Sequence, residues 1–192
     1  MIRIKLATYR KAIMSYDEYR EKVIKQSRVV LRCAKRFIYA VHRGETTAKL
    51  HTELASEFKK LNAIGAKTDG HANLVREGAY SEAAQEYVEA CVYHDYVKKK
   101  TIRTAKQLGV TVENYLLGVC DVSGELVRKA VNAVINDNIS ETLEIEKFVD
   151  DMYAQMLTFN FRNGHLRKKV DGMKYAVRKL QDVIYDIKIK GK

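Results

Sequence analysis

The sequence predicts an all-α protein, with residues 1–192 forming a single-domain bundle of six or seven long helices. Three observations support this fold class. The chain contains no proline, so no residue forces a helix to break. Apolar residues recur at the three- and four-residue spacing of amphipathic helices along most of the chain. The two-residue alternation typical of strands is confined to the short terminal stretch 187–190.

Turn residues divide the apolar pattern into six helical segments. These segments cover residues 15–43, 46–63, 72–106, 111–136, 140–160 and 165–189. We expect a kink near Gly78 in the third segment, and Gly109 at its end. Side chains that accept hydrogen bonds stand at several helix starts, and they are the expected caps: Ser15 or Asp17, Thr46, Thr111 and Ser140.

The chain is basic, and its charge is unevenly distributed. The formal net charge is +11, with +9 in residues 1–43, +7 in residues 162–192 and −5 between them. A basic protein favours nucleic acid or another anionic partner. Ordinary solvated helix faces would give the same pattern, so charge alone leaves both interpretations open.

The cysteines and the apolar runs argue against several other classes. The three cysteines, Cys33, Cys91 and Cys120, show no pairing pattern and no CxxC motif, so neither a disulfide framework nor a zinc site is expected. No apolar run approaches the roughly 20 residues of a membrane span. We therefore expect a cytoplasmic protein without a membrane partner.

An acidic stripe stands out in the third helical segment. Glu82, Glu86 and Glu89 follow helical spacing and therefore fall on one side of the helix. Like charges on one stripe repel each other, so they require a reason to be there. One reason is a shared cation; the other is simple exposure of an acidic face to solvent.

A second polar stripe lies on the fourth helical segment. Asp121 and Glu125 are one helical turn apart, and Arg128 and Asn132 continue the same stripe. The rest of this helix is apolar, so the pair is expected to be partly buried. Buried carboxylates must be neutralised. Arg128 could do so in an internal ion-pair network, and a divalent cation is the other solution.

Facing acidic stripes on two sequential helices would bring four carboxylates together. An oxygen-only ligand set favours Mg²⁺ or Mn²⁺ over zinc or copper. Such a cation binds phosphate oxygens and activates water. Neither stripe carries the Glu-x-x-His pairs of a ferritin-like di-iron site.

Several runs resemble the translin superfamily. The signature helix of that superfamily is similar to residues 118–132, GVCDVSGELVRKAVN, and its C-terminal stretch is similar to residues 163–191. Ser27-Arg28, Lys35-Arg36 and His42-Arg43 resemble its first helix. The resemblance covers nearly the whole chain. It implies a translin-like helical fold and a homo-oligomer, a hexamer or octamer, that holds RNA inside.

The superfamily has two kinds of subunit, and the resemblance implies different roles for them. Translin binds single-stranded RNA and DNA, whereas translin-associated factor X carries the acidic residues of a Mg²⁺-dependent endoribonuclease. Residues 85–90 match the catalytic kind, while the C-terminus is closer to translin. The resemblance implies that Glu86, Glu89 and Asp121 hold the metal and position a water, with Glu125 as a fourth ligand or an outer base.

The expected function is metal-dependent endonucleolytic cleavage of single-stranded RNA, with binding of single-stranded RNA and DNA. One alternative is a non-catalytic single-stranded RNA- or DNA-binding oligomer. Another is an all-α nucleotide pyrophosphohydrolase, although its second acidic pair has Glu-x-x-Asp spacing. Six residues are candidate phosphate contacts: Arg28, Arg32, Lys35, Arg36, His71 and Arg76.

Overall fold

A computed structural model describes residues 6–66 and 74–190, apart from the side chains of Thr8, Arg76 and Lys190. All regular structure within these ranges is helical, which confirms the all-α prediction. The elements are α1 (Leu6–His42), α2 (Ala48–Gly65), a short 3₁₀ helix (Leu74–Arg76), α3 (Gly78–Val97), α4 (Ala105–Leu108), α5 (Val112–Ile135), α6 (Ile139–Leu157) and α7 (His165–Lys190).

The chain divides into two compact units, Met1–Ala90 and Cys91–Lys192, and the boundary falls within α3. Whether residues 1–192 form one domain remains a prediction. No helix among the described residues is both long enough and apolar enough to span a bilayer.

The core of the first unit lies between α1 and α2. Val30 and Phe37 of α1 and Leu54 and Leu61 of α2 are fully buried. Burial of each such side chain contributes about 1.5–3 kcal/mol. The helical spacing of these residues explains why one face of α1 turns inward while the basic residues between them stay outside.

The core of the second unit is formed by α5, α6 and α7, which pack against one another. Each helix supplies fully or nearly fully buried apolar residues: Leu126 and Ala130, Ile145 and Val149, and Met173 and Leu180. Thr142, also buried, donates a hydrogen bond of 3.2 Å to the carbonyl oxygen of Ala130. Val170, Met173, Val177 and Leu180 are all buried, so one side of α7 belongs to this core along much of the helix.

Two predicted helix starts in the first half of the chain are wrong. The first helix begins at Leu6, nine residues before Ser15, so Ser15 and Asp17 lie inside it and cap nothing. No proline or glycine stands between Leu6 and Ser15, so the helix continues through these positions. The second helix is preceded by Thr47 rather than Thr46, and the Thr47 side chain makes no capping hydrogen bond.

The third predicted segment, 72–106, is three elements rather than one kinked helix. Gly78 begins α3, and α3 ends at Val97 because Lys99 adopts a left-handed conformation (φ 49°). Lys100 then donates its backbone N–H to the carbonyl oxygen of Asp95, which satisfies the helix end. Gly109 terminates the short α4 in the left-handed conformation, as predicted.

The predicted cap of α5 is confirmed, whereas the predicted cap of α6 is wrong. The Thr111 side chain accepts a hydrogen bond from the backbone N–H of Asn114, which confirms it as the cap of α5. Asn138, not Ser140, caps α6, because its side-chain oxygen accepts from the backbone N–H of Glu141. Both are short polar residues, and the sequence does not show which one faces the orphan N–H groups.

Candidate active site

The acidic residues of α3 are placed by a helix that is otherwise buried. Glu86 and Glu89 are half-buried, three residues apart and therefore on the same side of α3. Glu82, one turn earlier, is exposed. The predicted stripe of three glutamates thus consists of one solvated residue and two residues at the edge of buried structure.

Buried neighbours fix the orientation of α3 in the first unit. The Tyr87 ring stacks on Phe58 of α2, with 4.0 Å between ring centroids and 13° between ring planes. Gln85 is buried and donates a hydrogen bond of 2.9 Å to the Ser81 hydroxyl. Because Tyr87 and Val88 are buried, Glu86 and Glu89 share the one edge of the helix that retains access to solvent.

The acidic residues of α5 are also half-buried. The side chains of Asp121 and Glu125 are 32% and 24% exposed, and they are one helical turn apart. Between them and around them lie Val122, Leu126 and Ser123, all buried. This confirms that the pair sits on a largely apolar helix, as its sequence context predicts.

Positive side chains neutralise both carboxylates of α5. Lys169 of α7 donates a hydrogen bond to Asp121 and forms an ion pair with it. Arg128 lies 3.8 Å from Glu125 on the same helix, as the spacing predicts. Lys129, next along α5, pairs instead with Glu141 of α6 at 2.8 Å.

These charges change the pKa values of two buried side chains in the second unit, Tyr93 and Cys120. Burial raises the pKa of Tyr93, the Glu125 carboxylate raises it further, and Arg128 lowers it. Burial, followed by the charge of Asp121, raises the pKa of the Cys120 thiol to about 12. All three cysteines, Cys33, Cys91 and Cys120, are buried. The acidic pair therefore acts on a low-dielectric interior, where charge effects are strong.

Asp121 and Glu125 carry the hard oxygen donors that a divalent cation prefers. Mg²⁺ is usually held by one or two protein carboxylates and keeps several waters for substrate phosphates. Asp121 and Glu125 supply such a pair within one unit, and the ammonium group beside Asp121 marks a position that favours positive charge. In residues 6–66 and 74–190, no group of three or more His, Cys, Asp or Glu side chains is arranged to hold a metal.

The predicted phosphate contacts on α1 form an exposed basic face. Arg28, Arg32 and Arg36 follow one another at four-residue spacing, and Lys35 lies beside them. All four are exposed, and Arg36 also forms an ion pair of 3.3 Å with Glu53 of α2. The structure therefore places these four residues on one helix, available to a polyanion.

The structure does not describe the side chains of the other two predicted phosphate contacts. His71 lies outside the described residues. Arg76 ends the 3₁₀ helix, and its side chain is also outside the described part.

Sequence reasoning did not identify three residues near the predicted site residues, one of which, Tyr93, is fully buried. Tyr39 extends the basic face of α1 with an exposed ring, and the Arg43 guanidinium lies 5.7 Å from its centroid. Its four-residue spacing from Lys35 could have shown this. Tyr93 is one turn beyond Glu89 and could have been found in the same way. Lys169 could not, because its contact with Asp121 joins positions 48 residues apart.

The fold and the acidic edges define a class: all-α proteins that have a basic first helix and paired carboxylates on later helices. The translin family model matches residues 18–191, and the chain belongs to the translin family.

Individual relatives agree with this assignment. An uncharacterized protein of Methanocaldococcus jannaschii is 30% identical over 161 residues, which cover 81% of this chain and 70% of that protein. Chicken translin is 40% identical over 80 residues, 42% of this chain and 35% of translin. Mouse translin-associated protein X is 25% identical over 92% of this chain and 74% of its own length.

Solved structures confirm the translin-like fold. The crystal structure of apo-NeC3PO has a TM-score of 0.83 and 24% identity, covering 96% of this chain and 98% of that chain. The complex of AfC3PO with duplex RNA has a TM-score of 0.75 and 22% identity, covering 97% and 98%. At these identities the likeness shows the fold.

Proposed function

We propose that this chain is a Mg²⁺- or Mn²⁺-dependent endoribonuclease that binds and cleaves single-stranded RNA within a homo-oligomer, and that also binds single-stranded DNA. The observation that carries the proposal is the half-buried Asp121–Glu125 pair on an apolar helix of a translin-family chain. Apolar surroundings make such a pair costly unless it has a cationic partner. A catalytic cation would explain why the pair is there.

Each carboxylate has a role in the proposal. Glu86, Glu89 and Asp121 would hold the cation and position a water, and Glu125 would be a fourth ligand or an outer base for that water. A bound Mg²⁺ supplies Lewis acidity and stabilises charge on the phosphate. The buried neighbours of Glu86 and Glu89 limit the rotation of α3 and so keep both carboxylates on one edge.

The relatives support an RNA substrate without establishing one. AfC3PO has been solved as a complex with duplex RNA, and its fold covers almost the whole of this chain. The exposed basic face of α1, formed by Arg28, Arg32, Lys35 and Arg36, suits a phosphate backbone. Because contacts to phosphates carry no sequence information, we expect this face to bind with little sequence preference.

The direct test is cleavage of a labelled single-stranded RNA by the full chain with Mg²⁺, with Mn²⁺ and with chelator. Glu89→Gln and Asp121→Asn should each lower cleavage by at least about a hundredfold and leave RNA binding intact. Glu82→Gln is the matched control, because Glu82 lies on the same helix but is exposed. Full cleavage by the Glu89 variant would refute the assignment.

The non-catalytic oligomer remains a second candidate, and one observation favours it. Asp121 and Glu125 already have cationic partners, Lys169 and Arg128, so an internal ion-pair network accounts for them without a metal. In that case the protein would bind single-stranded RNA but leave it uncut with every cation. Release of pyrophosphate from nucleoside triphosphates would instead indicate the pyrophosphohydrolase.

A further inference from the structure

Lys169 occupies a specific position in the second unit. It belongs to α7, yet its ammonium group lies against Asp121 of α5. Both side chains are shielded, at 23% and 32% exposure, so this pair is less solvated than a typical surface ion pair. The Lys169 ammonium group therefore has the Asp121 carboxylate as a partner and keeps only partial access to solvent.

The neighbouring basic residues behave differently. Arg167 pairs with Asp171 on its own helix at 3.2 Å, and Lys168 is exposed. Lys169 alone in the run 167–169 is directed toward α5, where its charge lowers the pKa of Cys120 while the charge of Asp121 raises it.

We propose that Lys169 is the counter-ion of Asp121 in the cation-free protein, that a divalent cation displaces it, and that the released ammonium group then contacts a phosphate of single-stranded RNA. The inference rests on the proposed function, because it takes Asp121 as a cation ligand. Lys169 is a positioning residue for this carboxylate rather than a ligand.

Competition follows from charge and space. The ammonium group holds the Oδ2 atom of Asp121, a cation bound to the same carboxylate would lie close to it, and two cations in contact repel each other. Lysine carries its charge on a flexible stem, so the displaced group can move to a nearby phosphate. Cation binding and RNA binding are then coupled, and the coupling must be reciprocal.

The first experiment measures Mn²⁺ binding to the RNA-free full chain by titration calorimetry. Lys169→Gln should bind Mn²⁺ about two- to fivefold more tightly than the wild type, which corresponds to the loss of a competing ion pair. Lys169→Arg should stay near the wild type, since it keeps the charge. Lys168→Gln is the control, because it removes the same charge from the exposed neighbouring position.

The outcomes separate this inference from the proposed function. Equal effects of the Lys168 and Lys169 glutamine variants, or weaker Mn²⁺ binding by the Lys169 variant, would overturn the competition. If Asp121→Asn binds Mn²⁺ as well as the wild type, the cation does not use Asp121, and the proposed metal site itself fails.

The second experiment tests the phosphate contact. Binding of a single-stranded RNA oligonucleotide is measured with chelator and with Ca²⁺, which takes the same oxygen ligands, and a gel verifies that the RNA stays intact. Ca²⁺ should increase the affinity of the wild type more than that of Lys169→Gln, with Lys168→Gln again as reference. An equal response of all three proteins would contradict the phosphate contact.

Discussion

Replacing Arg103 by Met should cost the protein about 3 kcal/mol of stability. Arg103 donates hydrogen bonds to both carboxylate oxygens of Asp95, at 2.8 and 3.0 Å, and the Asp95 side chain is only 4% exposed. Removing one partner of a buried pair costs about 3–5 kcal/mol, because the other charge stays buried. The Arg103 side chain is 26% exposed, so water partly replaces it, and the lower end of the range applies.

Thermal unfolding followed by circular dichroism measures this cost. At about 2–4 °C per kcal/mol for a chain of this size, the midpoint should fall by roughly 6–12 °C at equal protein concentration. Arg162→Met, an exposed arginine, serves as control and should change it little. The double variant Asp95→Asn with Arg103→Met should recover part of the loss, because it removes the unpaired charge. A decrease within the error of the control would refute the reasoning.

Three further predictions concern other parts of the chain. Gly124→Ala and Gly172→Ala should each stabilise the protein by about 0.5–1 kcal/mol in denaturant unfolding, since both positions are inside helices and an added Cβ meets nothing within 4 Å; a loss of stability would contradict this. The pKa of Cys120 is about 12 in the folded protein and 9 for an ordinary thiol. The resulting contribution to the free energy of unfolding is fully present below pH 9 and is lost as the pH rises toward about 12. The free energy of unfolding of Cys120→Ala should therefore fall less between pH 8 and 10 than that of the wild type, and equal slopes would exclude the effect. Removing Arg28 and Arg32 together should lower the salt dependence of RNA binding by roughly two phosphate contacts, and an unchanged slope would remove them from the interface.

The helical fold could be predicted because its causes are local. The apolar spacing of Val30, Ala34 and Phe37 alone indicates which face of α1 is buried, and the structure places all three in the core. The roles of Gly109 and Thr111 could also be predicted. Glycine adopts the left-handed conformation that ends a helix, and the threonine hydroxyl accepts a hydrogen bond at a helix start.

The break between α3 and α4 could not be predicted in the same way. Asp95 lies inside α3, and its carboxylate accepts hydrogen bonds from Arg103, which lies eight residues later and beyond the end of that helix. Arginine and aspartate are both compatible with a continuing helix, so their types give no signal. The Asp95–Arg103 ion pair spans the break, and such a contact is visible only in three dimensions.

The candidate site shows the same division between local and long-range information. Spacing along one helix was sufficient to pair Glu86 with Glu89 and Asp121 with Glu125, and to expect Arg128 beside Glu125. Spacing could not select Lys169 from a run of three basic residues, because that choice depends on how α7 packs on α5.

The Asp121–Lys169 ion pair is relevant to both candidate functions, the endoribonuclease and the non-catalytic binding protein. A carboxylate at the edge of an apolar helix must have positive charge beside it, and Lys169 supplies that charge to Asp121. An ion pair that existed only for stability could be replaced by an apolar pair at little cost, often with a gain. Asp121 and Lys169 are instead only partly buried, so both can exchange partners with solvent species. The double variant Lys169→Met with Asp121→Leu therefore separates the two cases. If the pair is purely structural, the variant protein should be at least as stable as the wild type and should bind RNA unchanged. If the pair is functional, the variant protein should be stable but should have lost Mn²⁺ binding.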